Sequence, residues 1–160
     1  MAVSVKQKAA FIDWAVPAAV EASRRTGVRW QVIVAQWCHE TGFGTSDLFL
    51  HHRNLAGVKN AGDVRFRGPV KPGTQFRTYA SIEESLDDYV RVLSLPNYLK
   101  VRFDGTVEQQ IAWLGESPWD AGHYRGRSSS NPPGTALLAY LHPIRVYGPL
   151  DDMLEVQPPQ

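Results

Sequence analysis

Cysteine occurs once in the 160 residues, at Cys38, which excludes an intrachain disulfide. It falls on the apolar arc of a helix and no basic group is forced beside it, so it reads as a buried thiol rather than a nucleophile. Net charge is almost absent: 17 basic against 16 acidic residues leave +1. No global field then draws the chain to nucleic acid or to an anionic membrane surface, and a polymer partner has to be held in a groove. No run approaches the roughly 20 apolar residues of a membrane span. The opening Met1-Ala2-Val3-Ser4-Val5-Lys6 lacks the apolar core of a signal peptide, so synthesis in the cytoplasm without one is expected. A zinc-peptidase helix is excluded because Phe43 stands where His39-Glu40 would need a second histidine. No metal or cofactor is expected, and no internal repeat is found. At 43% hydrophobic residues the length suits one domain with a proper core, and a monomer is the expectation.

The informative stretch runs from Trp30 to Ser46. At about 100° per residue, Trp30, Ile33, Val34, Trp37 and Cys38 share one arc of a helix, and Glu40 falls at its edge, roughly 20° from Ile33. Burial against Trp and Ile disfavours a charged carboxyl, so Glu40 is expected to titrate high and to serve as a general acid. Gly42 and Gly44 end the helix just after it, where a cleft can open.

Around this stretch the chain reads as mostly helical. A helix from Val5 to about Arg25 contains Pro17, which should kink or divide it, and Gly27 is its expected left-handed stop. Residues 47–79 lose helical period and read as a small, irregular lobe with short strands. Ser81-Ile82-Glu83-Glu84 and Thr106-Val107-Glu108-Gln109 have capping-box form and open two helices. The first reaches about Ser94 and is ended by Pro96; the second runs to Gly115. A last helix, about 135–147, is interrupted by Pro143. The loop 117–133 is too polar and turn-rich to be regular, and loops of this length are usually functional or disordered. Residues 1–150 therefore form the domain, and 151–160 read as a tail or the start of a linker.

Three segments resemble one family in order and spacing. Ala35-Gln36-Trp37-Cys38-His39-Glu40-Thr41-Gly42-Phe43-Gly44-Thr45-Ser46 is similar to the "AQxxLExGxGxS" signature of the peptidoglycan glucosaminidases of glycoside hydrolase family 73. Asn54-Leu55-Ala56-Gly57-Val58-Lys59 resembles their "NLFGIK", and the segment from Phe76 to Tyr89 their "FRxYxSxxESLxDY". A weaker match, Ser117 to Tyr124, is similar to "YATDPxY". The resemblance implies a mainly α (α+β) fold of lysozyme type, with a small β-lobe at about 47–79 and a sugar-binding groove between lobe and helices. It also implies hydrolysis of the β-1,4 bond between N-acetylglucosamine and N-acetylmuramic acid in peptidoglycan glycan strands, with Glu40 as proton donor.

The same resemblance places Tyr124 near the reacting sugar, where a core or gate tyrosine would look the same. Trp119 and His123 are candidates for a sugar-stacking wall, since aromatic faces pack on pyranose rings. Asn54, Gln36 and Tyr79 stand within the matched motifs and are further substrate-binding candidates, although Asn54 also suits the cap of a turn. Arg53, Lys59, Arg65, Arg67, Lys71 and Arg77 make the lobe basic and able to meet substrate carboxylates. Glycoside hydrolysis ordinarily uses two carboxylates, yet residues 60–75 contain one acid, Asp63, and no Glu. Asp63 is then the second catalytic group, or the 2-acetamido group of the substrate is the nucleophile. A lytic transglycosylase or muramidase on the same fold, and a catalytically degenerate wall-binding module, are the competing readings. A wall-degrading signature without a signal peptide fits a phage lysin or a domain of a larger protein.

Overall fold

Ser4 opens the first helix, α1 (Val5–Thr26), with a complete capping box: its Oγ accepts from Gln7 N at 3.1 Å and Gln7 Oε1 accepts from Ser4 N at 2.9 Å. The computed structural model, which describes residues 2–60, 68–119 and 123–149, carries this helix through Pro17 as one element. The expected division is absent. A proline inside a helix loses one backbone bond, but Val16, Ala19 and Val20 around it are buried and hold both halves on the same core. Gly27 stops the helix at φ 83°, as anticipated.

The second helix, α2 (Trp30–Thr41), packs on α1 as the other arm of a hairpin. Gln110 locks the turn between them: its Oε1 accepts from Arg29 N at 2.7 Å, and its Nε2 donates to the carbonyls of Gly27 and Phe103 at 3.2 and 3.0 Å. Burial on α2 is wider than the arc read from the sequence, because Val32, Ala35 and Gln36 are buried together with the arc itself. A helix covered on all sides belongs to the centre of a core, and α2 meets helices before and after it in the chain. Gln31 in its first turn and His39 and Glu40 in its last are partly exposed.

After α2 comes a single turn, α3 (Asp47–Leu50), where no helix is anticipated; Ser46 Oγ caps it by accepting from Phe49 N at 3.2 Å. The lobe that follows is thinner in regular structure than expected. Among the described residues no strand forms, and the lobe holds two isolated antiparallel bridges, Lys59 with Phe76 and Val70 with Arg77. Asp63 and the tail 151–160 lie outside the described residues.

The lobe is tied to α4 (Ile82–Leu93) by buried charge. Arg77 Nη1 donates to Asp88 Oδ2 at 2.5 Å, Tyr79 Oη donates to the same oxygen at 2.5 Å, and Arg91 Nε reaches Oδ1 at 2.9 Å. At the start of α4, Ser81 Oγ accepts from Glu84 N, but Glu84 Oε2 accepts from Ala80 N, one residue earlier than a capping box requires. Pro96 ends α4 by opening a 3₁₀ helix, Pro96–Arg102, since the first helical position needs no N–H. The helix α5 (Val107–Glu116) has the full box of Thr106 and Gln109.

Among its described residues, the loop expected to be irregular contains one 3₁₀ turn, His123–Arg125. The last predicted helix is two, α6 (Thr135–Leu138) and α7 (Leu141–Tyr147), parted at Ala139-Tyr140 rather than at Pro143. Pro143 falls in the first turn of α7, where backbone N–H groups have no partner within the helix, so it costs no bond there.

Candidate active site

Four residues apart on α2, Gln36 and Glu40 project from neighbouring positions of one face. Gly42, at φ 56°, terminates the helix immediately beyond, which leaves Glu40 on the final turn. Tyr124, in the 3₁₀ turn 84 residues further on, donates its hydroxyl proton to Glu40 Oε1 in a short hydrogen bond. Gln36 Nε2 donates to the same tyrosine oxygen at 3.1 Å, and Tyr89 Oη, from α4, donates to Gln36 Oε1 at 2.7 Å. The result is a run of bonds from Tyr89 through Gln36 and Tyr124 to Glu40.

Burial raises Tyr124 well above the usual tyrosine value, and the charge of Glu40 and its hydrogen bond add to the effect. Tyr89 is raised by burial and then by the same charge. Both therefore keep their protons and act as donors. On the outer side, His39 lies edge-on to Tyr124 and to Tyr140, with Nδ1 3.2 Å from Tyr140 Oη. Cys38 is pushed up to about 12 by burial and stays a thiol, in keeping with the inert role read for it.

The loop 54–58 forms the other side of the carboxyl. Gly57 has φ 64°, and a Cβ built there would lie 2.6 Å from Glu40 Oε2. Only glycine lets the backbone come this close to the acid. Asn54 holds the loop from within: its Nδ2 donates to the carbonyls of Val58 and Arg77 at 3.0 and 2.9 Å, and its Oδ1 accepts from Val58 N at 3.0 Å. Trp119 Nε1 donates to Ala56 O at 3.0 Å, and its indole packs edge-on against Tyr89 and Tyr98.

The residues singled out in the sequence thus divide. Glu40 and Tyr124 meet directly, with Gln36 behind them. Asn54 is 1% exposed and directs its amide into the lobe. Tyr79 donates its hydroxyl to Asp88. Trp119 is half-buried, with its N–H used by the loop; His123 is exposed at the start of its turn. Of the basic lobe residues, Arg77 is buried on Asp88, Lys71 pairs with Asp47 at 2.7 Å, and Lys59 lies over the Phe76 ring. Two contributors escaped the reading of the sequence. Gly57, between Ala56 and Val58, carries no local sign of the close approach, and Tyr89 lies at helical spacing among the apolar residues Ile82, Leu86, Val90 and Leu93 of α4.

Comparison with known proteins gives the family and the fold. Residues 16–134 match the sequence profile of the family named Glucosaminidase, described as mannosyl-glycoprotein endo-beta-N-acetylglucosaminidase. Peptidoglycan hydrolase FlgJ of Escherichia coli is 29% identical over 143 residues, covering 78% of this chain and 45% of the relative. The chain thus spans about half the length of the curated relatives it matches. Among solved structures, a C-terminally truncated glycoside hydrolase domain of FlgJ from Salmonella typhimurium is 25% identical, with a TM-score of 0.63 over 87% of this chain and 98% of that one. The catalytic domain of the autolysin Auto from Listeria monocytogenes, 20% identical with a TM-score of 0.57 over 92% of this chain and 88% of its own, shares the fold.

Proposed function

Since the chain belongs to the glucosaminidase family, we propose that it hydrolyses the β-1,4 bond between N-acetylglucosamine and N-acetylmuramic acid, with Glu40 as the proton donor. The observation that carries this reading is the carboxyl of Glu40 at the open end of a buried helix, met by Tyr124 on one side and by the Gly57 backbone on the other. A glycan strand lies in the groove between the helices and the 47–79 lobe, with Trp119 and His123 on its wall. Gln36, Asn54 and Tyr79 support the site from behind, because their polar atoms are engaged within the protein.

In the reaction, the Glu40 proton passes to the bridging oxygen as the C1–O bond breaks, which releases the 4-hydroxyl of the next sugar. We assign the nucleophile to the carbonyl oxygen of the substrate's own 2-acetamido group, which closes on C1. Water then opens the ring at C1 and returns a proton to Glu40. Asp63 is the alternative base; its place between Lys59 and Arg65 in the sequence would favour its charged form and weaken it as a base. The proposal includes a phage lysin acting on the wall as a monomer.

The test is mass spectrometry of reduced muropeptides, joined to NMR of the first anomer released. Reducing N-acetylglucosamine ends with retained configuration are expected, and Glu40→Gln should lower the rate by about 10²–10⁴-fold, the range of general acid catalysis, with Tm nearly unchanged. Anhydromuramic ends would move the enzyme to the transglycosylases. Inverted product would transfer the second role to Asp63, and a Glu40→Gln variant within about tenfold of wild type would remove Glu40 from the chemistry.

A further inference from the structure

The bonds behind Glu40 have a direction. A tyrosine hydroxyl carries one proton, and a glutamine amide offers hydrogen on one side only. Tyr89 donates to Gln36 Oε1, Gln36 Nε2 donates to Tyr124 Oη, and Tyr124 in turn donates to Glu40 Oε1. If the amide were turned over, its carbonyl would face Tyr124 and compete with Glu40 for the one hydroxyl proton. It would also turn Tyr89 into an acceptor and deprive the Tyr89 proton of the Gln36 carbonyl. Tyr89 is 1% exposed and Gln36 is 0% exposed, so water cannot make up for that loss, and a buried polar group left without its partner is destabilising. The burial of Tyr89 therefore selects one orientation of the amide.

We propose that Tyr89 and Gln36 are positioning residues for the reaction, a buried relay that keeps the Tyr124 proton directed at Glu40. Neither touches substrate; both act through Tyr124. The side-chain contacts agree with this division of work. Tyr89 is held edge-on by Trp37 from α2 at 5.5 Å and by Trp119 at 5.4 Å between ring centroids. Trp119 also fixes the carbonyl of Ala56, next to Gly57 and thus to Glu40. Tyr89 is in this way packed by a residue that also fixes the loop on one side of the acid.

The inference rests on the hydrolase reading above, and a double-mutant cycle on soluble glycan fragments separates the two. Tyr124→Phe should lower kcat by about 10²-fold, as loss of a preorganised donor does. Tyr89→Phe, which keeps the ring, should lower kcat by roughly tenfold, in the range of supporting residues around a site, with KM within twofold. In a Tyr124→Phe background the Tyr89→Phe change should have no further effect, so the double variant stays near 10² rather than reaching about 10³. Gln36→Met, of similar volume, should match Tyr89→Phe within about threefold and serves if the other variant does not fold. Independent, multiplicative losses would overturn the relay, and so would a Tyr89→Phe enzyme with wild-type kcat or a change confined to KM. An inactive Glu40→Gln together with an unimpaired Tyr124→Phe would overturn the relay while leaving the hydrolase reading in place.

Discussion

At the scale of single residues, the tolerance that bears on the acid is the one between Gly57 and Glu40. A methyl group at position 57 would sit 2.6 Å from Glu40 Oε2 and 3.1 Å from its Cδ. The obstructing atoms are the end of a side chain, so the fold can yield by moving the carboxyl, and function bears the larger loss. The backbone adds its own penalty, since the left-handed conformation costs a residue with a Cβ about 1–2 kcal/mol. Gly57→Ala should thus keep its fold, with Tm lowered by a few degrees, but lose hydrolysis by about 10²-fold if Glu40 is the proton donor proposed above, because displacement of a catalytic group by about 1 Å costs that much. Circular dichroism and turbidity clearing measured on the same preparation check both halves. A variant that clears walls at the wild-type rate would show that the carboxyl has room to spare.

At the scale of elements, the attachment of the lobe to α4 depends, among the described residues, on buried charge rather than on a sheet. Two isolated bridges offer few backbone bonds, whereas Asp88 takes bonds from Arg77, Tyr79 and Arg91 with only 10% of its side chain exposed. Arg77 is wholly buried. Breaking such a pair leaves a buried charge without compensation, a loss of about 3–5 kcal/mol. Asp88→Asn should therefore lower the denaturation midpoint by an amount equivalent to about 3 kcal/mol, or a Tm fall of about 10 °C for a domain of this size. Urea unfolding with unchanged slope would measure it. The same cluster explains why an Arg and a Tyr precede the α4 cap at fixed spacing: Arg77 and Tyr79 alternate on an extended segment, both reach one carboxylate, and a shift of one residue would turn both away.

At the scale of the whole molecule, the fold gathers buried and half-buried phenols. Tyr79, Tyr89, Tyr98, Tyr124 and Tyr140 are all held above the ordinary value of 10, with burial as the first cause in each. The sign of the linkage follows. In the unfolded chain these hydroxyls ionise near pH 10; in the folded chain they remain protonated, so the unfolded state binds fewer protons above that pH and stability falls as pH rises. The stabilisation is fully present below pH 10 and is lost as pH climbs through the folded values. Absorbance at 295 nm should accordingly show a delayed, cooperative tyrosine ionisation that coincides with loss of the helical signal. A gradual titration centred on pH 10, before unfolding, would contradict the buried positions of these rings.

Local chemistry determined much of this protein by itself. The left-handed stops at Gly27 and Gly42, the cap of Thr106 and Gln109, the α1–α2 hairpin and the placing of Glu40 on the last turn of α2 all depend on residues within one or two turns of each other. Such features can be read from periodicity and capping preference, and the family motifs include several of them. What only the tertiary structure decided is where polar side chains find their partners. The bonds Tyr124 to Glu40, Gln36 to Tyr124 and Tyr89 to Gln36 join residues 84, 88 and 53 apart in the chain. A glutamine on an apolar helix looks the same whether it faces a sugar or two tyrosines. Gly57 likewise carries no local sign that an acid from another helix lies against it. Periodicity reports which face of an element is buried; it does not report which atom lies opposite, because that depends on how distant segments pack, and here that packing makes the site.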